Sequence, residues 1–121
     1  MAFERICMLH IPQIKKSLGI EQIYTEYYSW RSKCSTPAAQ IDLLIERADH
    51  LINLCEIKYS LSPYSITKEE ELRIRTRMAD FLEETGVRHG ILPTLITTFG
   101  IRPTAHSSIA QVQLTMDDLF A

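Results

Sequence analysis

A chain of 121 residues with a net charge of −2 is the size of one domain (residues 1–121) and can bury roughly two thirds of the surface its unfolded form exposes. Apolar residues make up 45% and charged residues 23% of it, the balance of an ordinary globular domain. The slight acidity excludes a globally basic nucleic-acid binder and leaves only a local patch for such a role; no apolar run approaches the roughly 20 residues a membrane helix needs.

In chain order, residues 2–18 carry Phe3, Ile6 and Cys7 at helical spacing. Pro12 cannot sit inside a continuous helix, so a break is expected near His10 and Ile11, with Pro12 in the first turn of the restart and Gly19 as the stop. Residues 21–33 are rich in Tyr and include Ile23, Thr25 and Trp30, which reads as a first strand. Tyr24, Tyr27, Tyr28 and Trp30 either stack on bases or, the preferred reading for most of them, pack on the sheet. Residues 34–39 form a loop. Residues 40–45 and 51–59 are two apolar strands joined by a short polar hairpin loop, Arg47 to His50.

Residues 61–64 are again a loop. Thr67 is a helix N-cap, and Glu70 three residues on completes a capping box. The helix runs to Thr85 and stops at Gly86. Leu72, Met78, Phe81 and Leu82 form its buried stripe, flanked by Ile74 and Ala79. Arg73 and Arg77 share a face, with Arg75 close by. The preferred reading is a solvated face paired with acids such as Glu69 and Glu70; contact with phosphates is the sharper one. Residues 90–99 are rich in β-branched residues and read as a central strand, with an unpaired position or a bulge at Pro93. Residues 110–115 alternate as a half-buried last strand, and Thr115 caps a final turn through Phe120. The order describes an α/β domain.

Asp42, Glu56 and Lys58 stand inside the two apolar strands. Alternation puts Glu56 and Lys58 on one face, and Leu44 and Glu46 on the face of Asp42. Ile41, Leu43, Ile45, Cys55 and Ile57 take the other face. A charge withdrawn from water needs a partner, a metal or solvent. One reading is a structural Glu–Lys or Asp–Lys ion pair at a sheet edge. The other is a divalent-metal site in which Asp42 and Glu56 supply the hard oxygen ligands that Mg²⁺ prefers. Lys58 would then position or activate a water, or offset charge on a phosphate. Cys7, Cys34 and Cys55 are an odd number without paired spacing, which fits a reduced, cytoplasmic setting. The four histidines show no zinc-ligand spacing. Glu4 and Arg5 stand where the apolar core of a signal peptide would begin.

Ile41-Asp42 followed by Glu56-Ile57-Lys58 resembles the PD-(D/E)xK motif of the restriction-endonuclease-like phosphodiesterases, with Ile in place of the Pro. The wider run resembles the C-terminal nuclease-like domain of prokaryotic AAA+ or STAND-type ATPases. It comprises Phe3-Glu4, His10-Ile11-Pro12-Gln13-Ile14-Lys15, Ser29-Trp30-Arg31, Gln40-Ile41-Asp42-Leu43-Leu44-Ile45, Asn53-Leu54-Cys55-Glu56-Ile57-Lys58-Tyr59-Ser60 and Leu114-Thr115-Met116-Asp117-Asp118-Leu119-Phe120.

That resemblance, which covers almost the whole chain, implies a restriction-endonuclease-like three-layer core with a mixed central sheet flanked by helices. It implies Mg²⁺ or Mn²⁺ held by Asp42, Glu56 and the backbone carbonyl of Ile57. Glu4 is either a further ligand or a solvated acid favoured near a helix start. Asp42, Glu56 and Lys58 would be the catalytic residues for attack of water on a phosphodiester of DNA, with RNA as the other substrate. Gln40, Tyr59, Arg73 and Arg77 would contact that substrate. A homodimer is a further expectation, because nucleases of this fold often dimerise. The alternative is a nuclease-fold regulatory or interaction module of an AAA+ or STAND-type ATPase, with little or no catalytic activity. The chain has no Walker phosphate loop, so the ATPase would be another domain or subunit. With its first helix opening directly after Met1, the chain reads as either a stand-alone frame or a C-terminal domain.

Overall fold

The computed structural model describes residues 2–34 and 38–120, so residues 35–37 of the expected 34–39 loop lie outside the described residues. Two short helices open the chain, α1 (Ala2–Leu9) and α2 (Ile11–Ser17). The expected break falls at His10, whose ring Nδ1 lies 2.7 Å from the Ile6 carbonyl. Pro12 sits in the first turn of α2, where a helix has no use for the missing N–H. Gly19 follows with a φ of 73°, a left-handed conformation that glycine adopts without strain. The first strand is shorter than expected. Residues 21–23 make turns, and β1 spans Thr25–Arg31.

The hairpin is β2 (Gln40–Arg47) and β3 (Leu51–Lys58), with β2 running two residues beyond the expected end. α3 (Lys68–Thr85) then crosses to β4 (Gly90–Thr97), and β5 (Val112–Thr115) leads into α4 (Met116–Leu119). The strand order is β1-β2-β3-β4-β5. The first two pairings are antiparallel and the last two parallel, so the sheet is mixed and β3 is its middle strand, not an edge. At Pro93 the ladder to β3 is unbroken, and β5 joins only from Thr94. Pro93 is therefore a position with a neighbour on one side alone, and no bulge is needed to tolerate it.

Helices pack on both faces of the sheet. Phe3 and Cys7 of α1, Ile11 and Ile14 of α2 and Leu119 of α4 bury against Leu43, Ile45, Cys55 and Ile96. On the other face, Phe81 of α3 packs with Leu44, Ile52 and Leu54, and Ile74 packs with Leu95. Burying each such side chain contributes about 1.5–3 kcal/mol, so both layers of helix are held by apolar contact. Among the described residues, no helix is long and apolar enough to cross a membrane.

α3 is rotated relative to the expected stripe. Leu72 is 54% exposed, whereas Glu70, Ile74 and Phe81 are buried. Positions 70, 74, 77, 78 and 81 follow helical spacing, but two of them are charged. A search for apolar residues alone therefore shifts the stripe toward Leu72. Thr67 caps the helix as expected, its Oγ1 accepting the Glu70 N–H at 3.2 Å, and Gly86 ends it with a φ of 69°. The reciprocal half of the capping box does not form, because the Glu70 carboxylate turns inward instead.

Candidate functional site

β2 and β3 part company at their charged ends. Their ladder runs from Glu46↔Ile52 to Leu43↔Cys55. Beyond that rung β2 stays with β1, through Ile41↔Trp30 and Gln40↔Arg31. β3 stays with β4, through Glu56↔Leu95 and Lys58↔Thr97. The strands thus open a fork whose first positions are Asp42 on one arm and Glu56 on the other.

The fork has a local cause in β2. Between Tyr28↔Leu44 and Trp30↔Ile41, β1 advances two residues and β2 three. The extra residue is a bulge at Asp42 and Leu43, opposite Ser29. Bulges bend a strand and re-aim its side chains. Here the bulge overturns the expected face of Ile41. Leu43 packs toward α1, while Ile41 packs with Trp30 and Phe81 on the α3 side. Alternation therefore breaks at Asp42, and its shared face with Glu56 no longer follows from parity. Asp42 is half-buried, and its Oδ1 accepts a 3.0 Å hydrogen bond from Gln40 Nε2.

On the other arm, Glu56 and Lys58 share a face as expected, and that face meets α3. Arg77 donates to the Glu56 carboxylate, and Lys58 Nζ lies 3.0 Å from Glu70 Oε2. Helix and strand run in opposite senses here. Glu70 and Arg77 are two turns apart on α3, a rise of roughly 10 Å. Glu56 and Lys58 are about 6.6 Å apart on β3, and long side chains span the difference. The edge pair of Glu with Lys is thus replaced by two cross-element pairs at the middle of the sheet. Glu56 is 8% and Glu70 5% exposed, so both acids are withdrawn from water and need these partners. Tyr64 also donates to Glu70; burial, and then that carboxylate, push the Tyr64 phenol up. Arg73 is largely exposed, 3.8 Å from Glu70. The cluster therefore sets three cations, Lys58, Arg73 and Arg77, against two buried acids.

Other expected residues fall further out. Tyr59 is exposed just past β3, and its ring meets Phe3 of α1 at 6.4 Å. Glu4 thus lies near the end of β3 reached by Tyr59, but on the helix of the opposite face. Ile57 packs its side chain on that opposite face as well. Tyr28 and Trp30 pack on the α3 face, Trp30 edge-on to Phe81 at 5.4 Å, while Tyr24 and Tyr27 are exposed.

Glu70 and Tyr64 are not expected at the site, and Arg77, expected either on a solvated face or against substrate, instead pairs with Glu56. The signal that would have found them is the charged pair Glu70 and Arg77 on the Ile74–Phe81 face, read against the charged pair on β3. Among the described residues, no three His, Cys, Asp or Glu side chains converge as a metal cluster. The donor set at the fork would be two carboxylates and a carbonyl. That chemistry suits Mg²⁺, which is commonly held by one or two carboxylates and otherwise by water and phosphate.

No protein-family profile matches the chain, and no curated protein sequence does. The fold is similar to that of a solved structure described as a protein of unknown function, AF1548, at a TM-score of 0.59 and 16% identity. The match covers 97% of this chain and 64% of that one. At this identity the likeness shows the fold alone: an α/β domain with a five-stranded mixed sheet and helices on both sides.

Proposed function

We propose that this domain is a metal-dependent phosphodiesterase of the PD-(D/E)xK, restriction-endonuclease-like type, acting on DNA, with RNA as the other nucleic acid to test. The observation that carries the reading is the fork, which opens at Asp42 on one arm and at Glu56, Ile57 and Lys58 on the other. Asp42, Glu56 and the Ile57 carbonyl would hold Mg²⁺ or Mn²⁺. Bound there, the ion supplies Lewis acidity and a water of lowered pKa. Lys58, held by Glu70, presents its ammonium to the attacking water or to the charge that develops on phosphate. Gln40 orients the Asp42 carboxylate through its hydrogen bond. Arg73, largely exposed beside Glu70, and the exposed ring of Tyr59 would contact the nucleic acid.

A second reading is favoured by the ion pairs themselves. Glu56 and Lys58 are each already neutralised from α3, which is what a purely structural cluster needs. On that reading the domain is a regulatory or interaction module of an AAA+ or STAND-type ATPase. Calorimetric titration of Mg²⁺ and Mn²⁺ into the wild type, Asp42→Ala and Glu56→Gln separates the two. Binding lost in both variants, with cleavage of plasmid or single-stranded DNA lost alongside, supports the phosphodiesterase. No binding by the wild type at millimolar metal supports the module.

A further inference from the structure

We infer that Arg77 is an internal counterion that a cation at Glu56 displaces, and that the released guanidinium becomes a ligand for the substrate phosphate. This rests on the metal-dependent reading above. The Glu56 carboxylate is one of two acids at the fork, and its Oε1 is taken by Arg77. A hard cation and a guanidinium compete for the same carboxylate. Glu56 is fixed on the middle strand, but Arg77 reaches it from a helix, and its side chain remains 26% exposed. An arginine can keep its stem on the protein while its head moves toward water. The guanidinium fork fits phosphate as well as it fits carboxylate. A freed Arg77 would join Lys58 and Arg73, whose side chains are already partly exposed beside Glu70.

Thermodynamics then couples the two ligands. The cation releases the group that binds phosphate, and phosphate holds away the group that competes with the cation. Each tightens the other by the same factor, whichever binds first. Glu70 stays in place throughout and keeps Lys58 aimed, so the two pairs differ in role: one is exchanged, the other is a support.

The test is calorimetric titration of Mn²⁺ into the full chain as wild type, Arg77→Met and Arg77→Lys. Alongside, binding of a labelled phosphorothioate oligothymidylate is followed by anisotropy with and without Mn²⁺. Removing a charge-assisted competitor should tighten Mn²⁺ binding by Arg77→Met about tenfold or more, with Arg77→Lys between it and the wild type. Mn²⁺ should tighten oligonucleotide binding by the wild type and not by Arg77→Met. Mn²⁺ bound no more tightly by Arg77→Met than by the wild type overturns the inference, as does equal tightening of the oligonucleotide in both. If Arg77→Met does not fold, Arg77→Lys decides, since it keeps the charge but loses the planar fork: its Mn²⁺ affinity must exceed that of the wild type. Failure of every chain to bind Mn²⁺ removes the metal-dependent reading itself, a result distinct from a wild type that binds and an Arg77 variant that gains nothing.

Discussion

The strands β2 and β3 carry charge at both ends, and the two ends are built differently. At the hairpin end the partners are close in sequence. Arg47 Nη2 bonds Asp49 at 2.7 Å, two residues away, and Nη1 bonds Asn53 Oδ1 at 3.1 Å, six residues away. His50 completes the turn with a φ of 66°. At the fork end the partners come from another element, with Arg77 lying 21 residues from Glu56. Local pairs can form as soon as the turn closes, whereas the fork pairs wait for α3 to dock and must then satisfy buried acids. A turn needs only the first kind. The second kind burdens folding, because buried acids must find their partners on a distant segment of chain.

The sharpest way to break this comparison is to remove one partner at the fork. Arg77→Ala leaves Glu56 buried beside an absent guanidinium, and opening such a pair from one side costs about 3–5 kcal/mol. Urea denaturation should show it, and adding Glu56→Gln should recover part of the loss. A cost smaller than that of Asn53→Ala would invert the ranking of the two ends.

Asn53 is the hairpin end's own buried group, fully withdrawn from solvent. Its Nδ2 donates to Thr94 Oγ1 at 2.9 Å while its Oδ1 accepts from Arg47. Asn53→Ala strips both partners of one bond, which should cost about 1–3 kcal/mol by the same denaturation. Thr94 keeps its 3.0 Å bond to the Leu92 carbonyl, so the lower part of that range is expected.

Sequence reading recovers one end of this comparison far better than the other, for a physical reason. The hairpin, the break at His10, the Thr67 cap and the Gly86 stop are set by residues within a few positions of one another, and each was legible. Glu56 and Lys58 were legible as charges needing partners, and their shared face follows from alternation. Their partners were not, because nothing local tells Glu70 to leave its capping box or Arg77 to turn inward. The face of Ile41 escapes simple alternation for a related reason: the bulge at Asp42 depends on β1, a separate segment of chain.

The third expectation concerns pH. Tyr28 donates to Glu46 at 2.9 Å. Burial, and then that carboxylate, push its phenol up from 10.0 to about 12. The folded state thus holds the proton at pH values where the unfolded chain has released it. The stability involved is fully present below about pH 10 and is lost as pH rises toward 12. Denaturation midpoints across that window should fall less steeply for Tyr28→Phe than for the wild type.

The smallest effect belongs to the exposed pair at the turn. Arg47 holds the Asp49 carboxyl below its ordinary value, first through their hydrogen bond. A depressed carboxylate pKa stabilises the fold above the unfolded value and stops doing so as pH falls through the folded one. Asp49→Asn keeps an oxygen for Arg47, and Asn53 still accepts from it, so the midpoint at neutral pH should barely move. The small gap that remains should close as the medium drops below about pH 4, the ordinary Asp range. A gap at neutral pH as large as that of Asn53→Ala would mean that Arg47 relies on Asp49 as Glu56 relies on Arg77, and the two ends would then be alike.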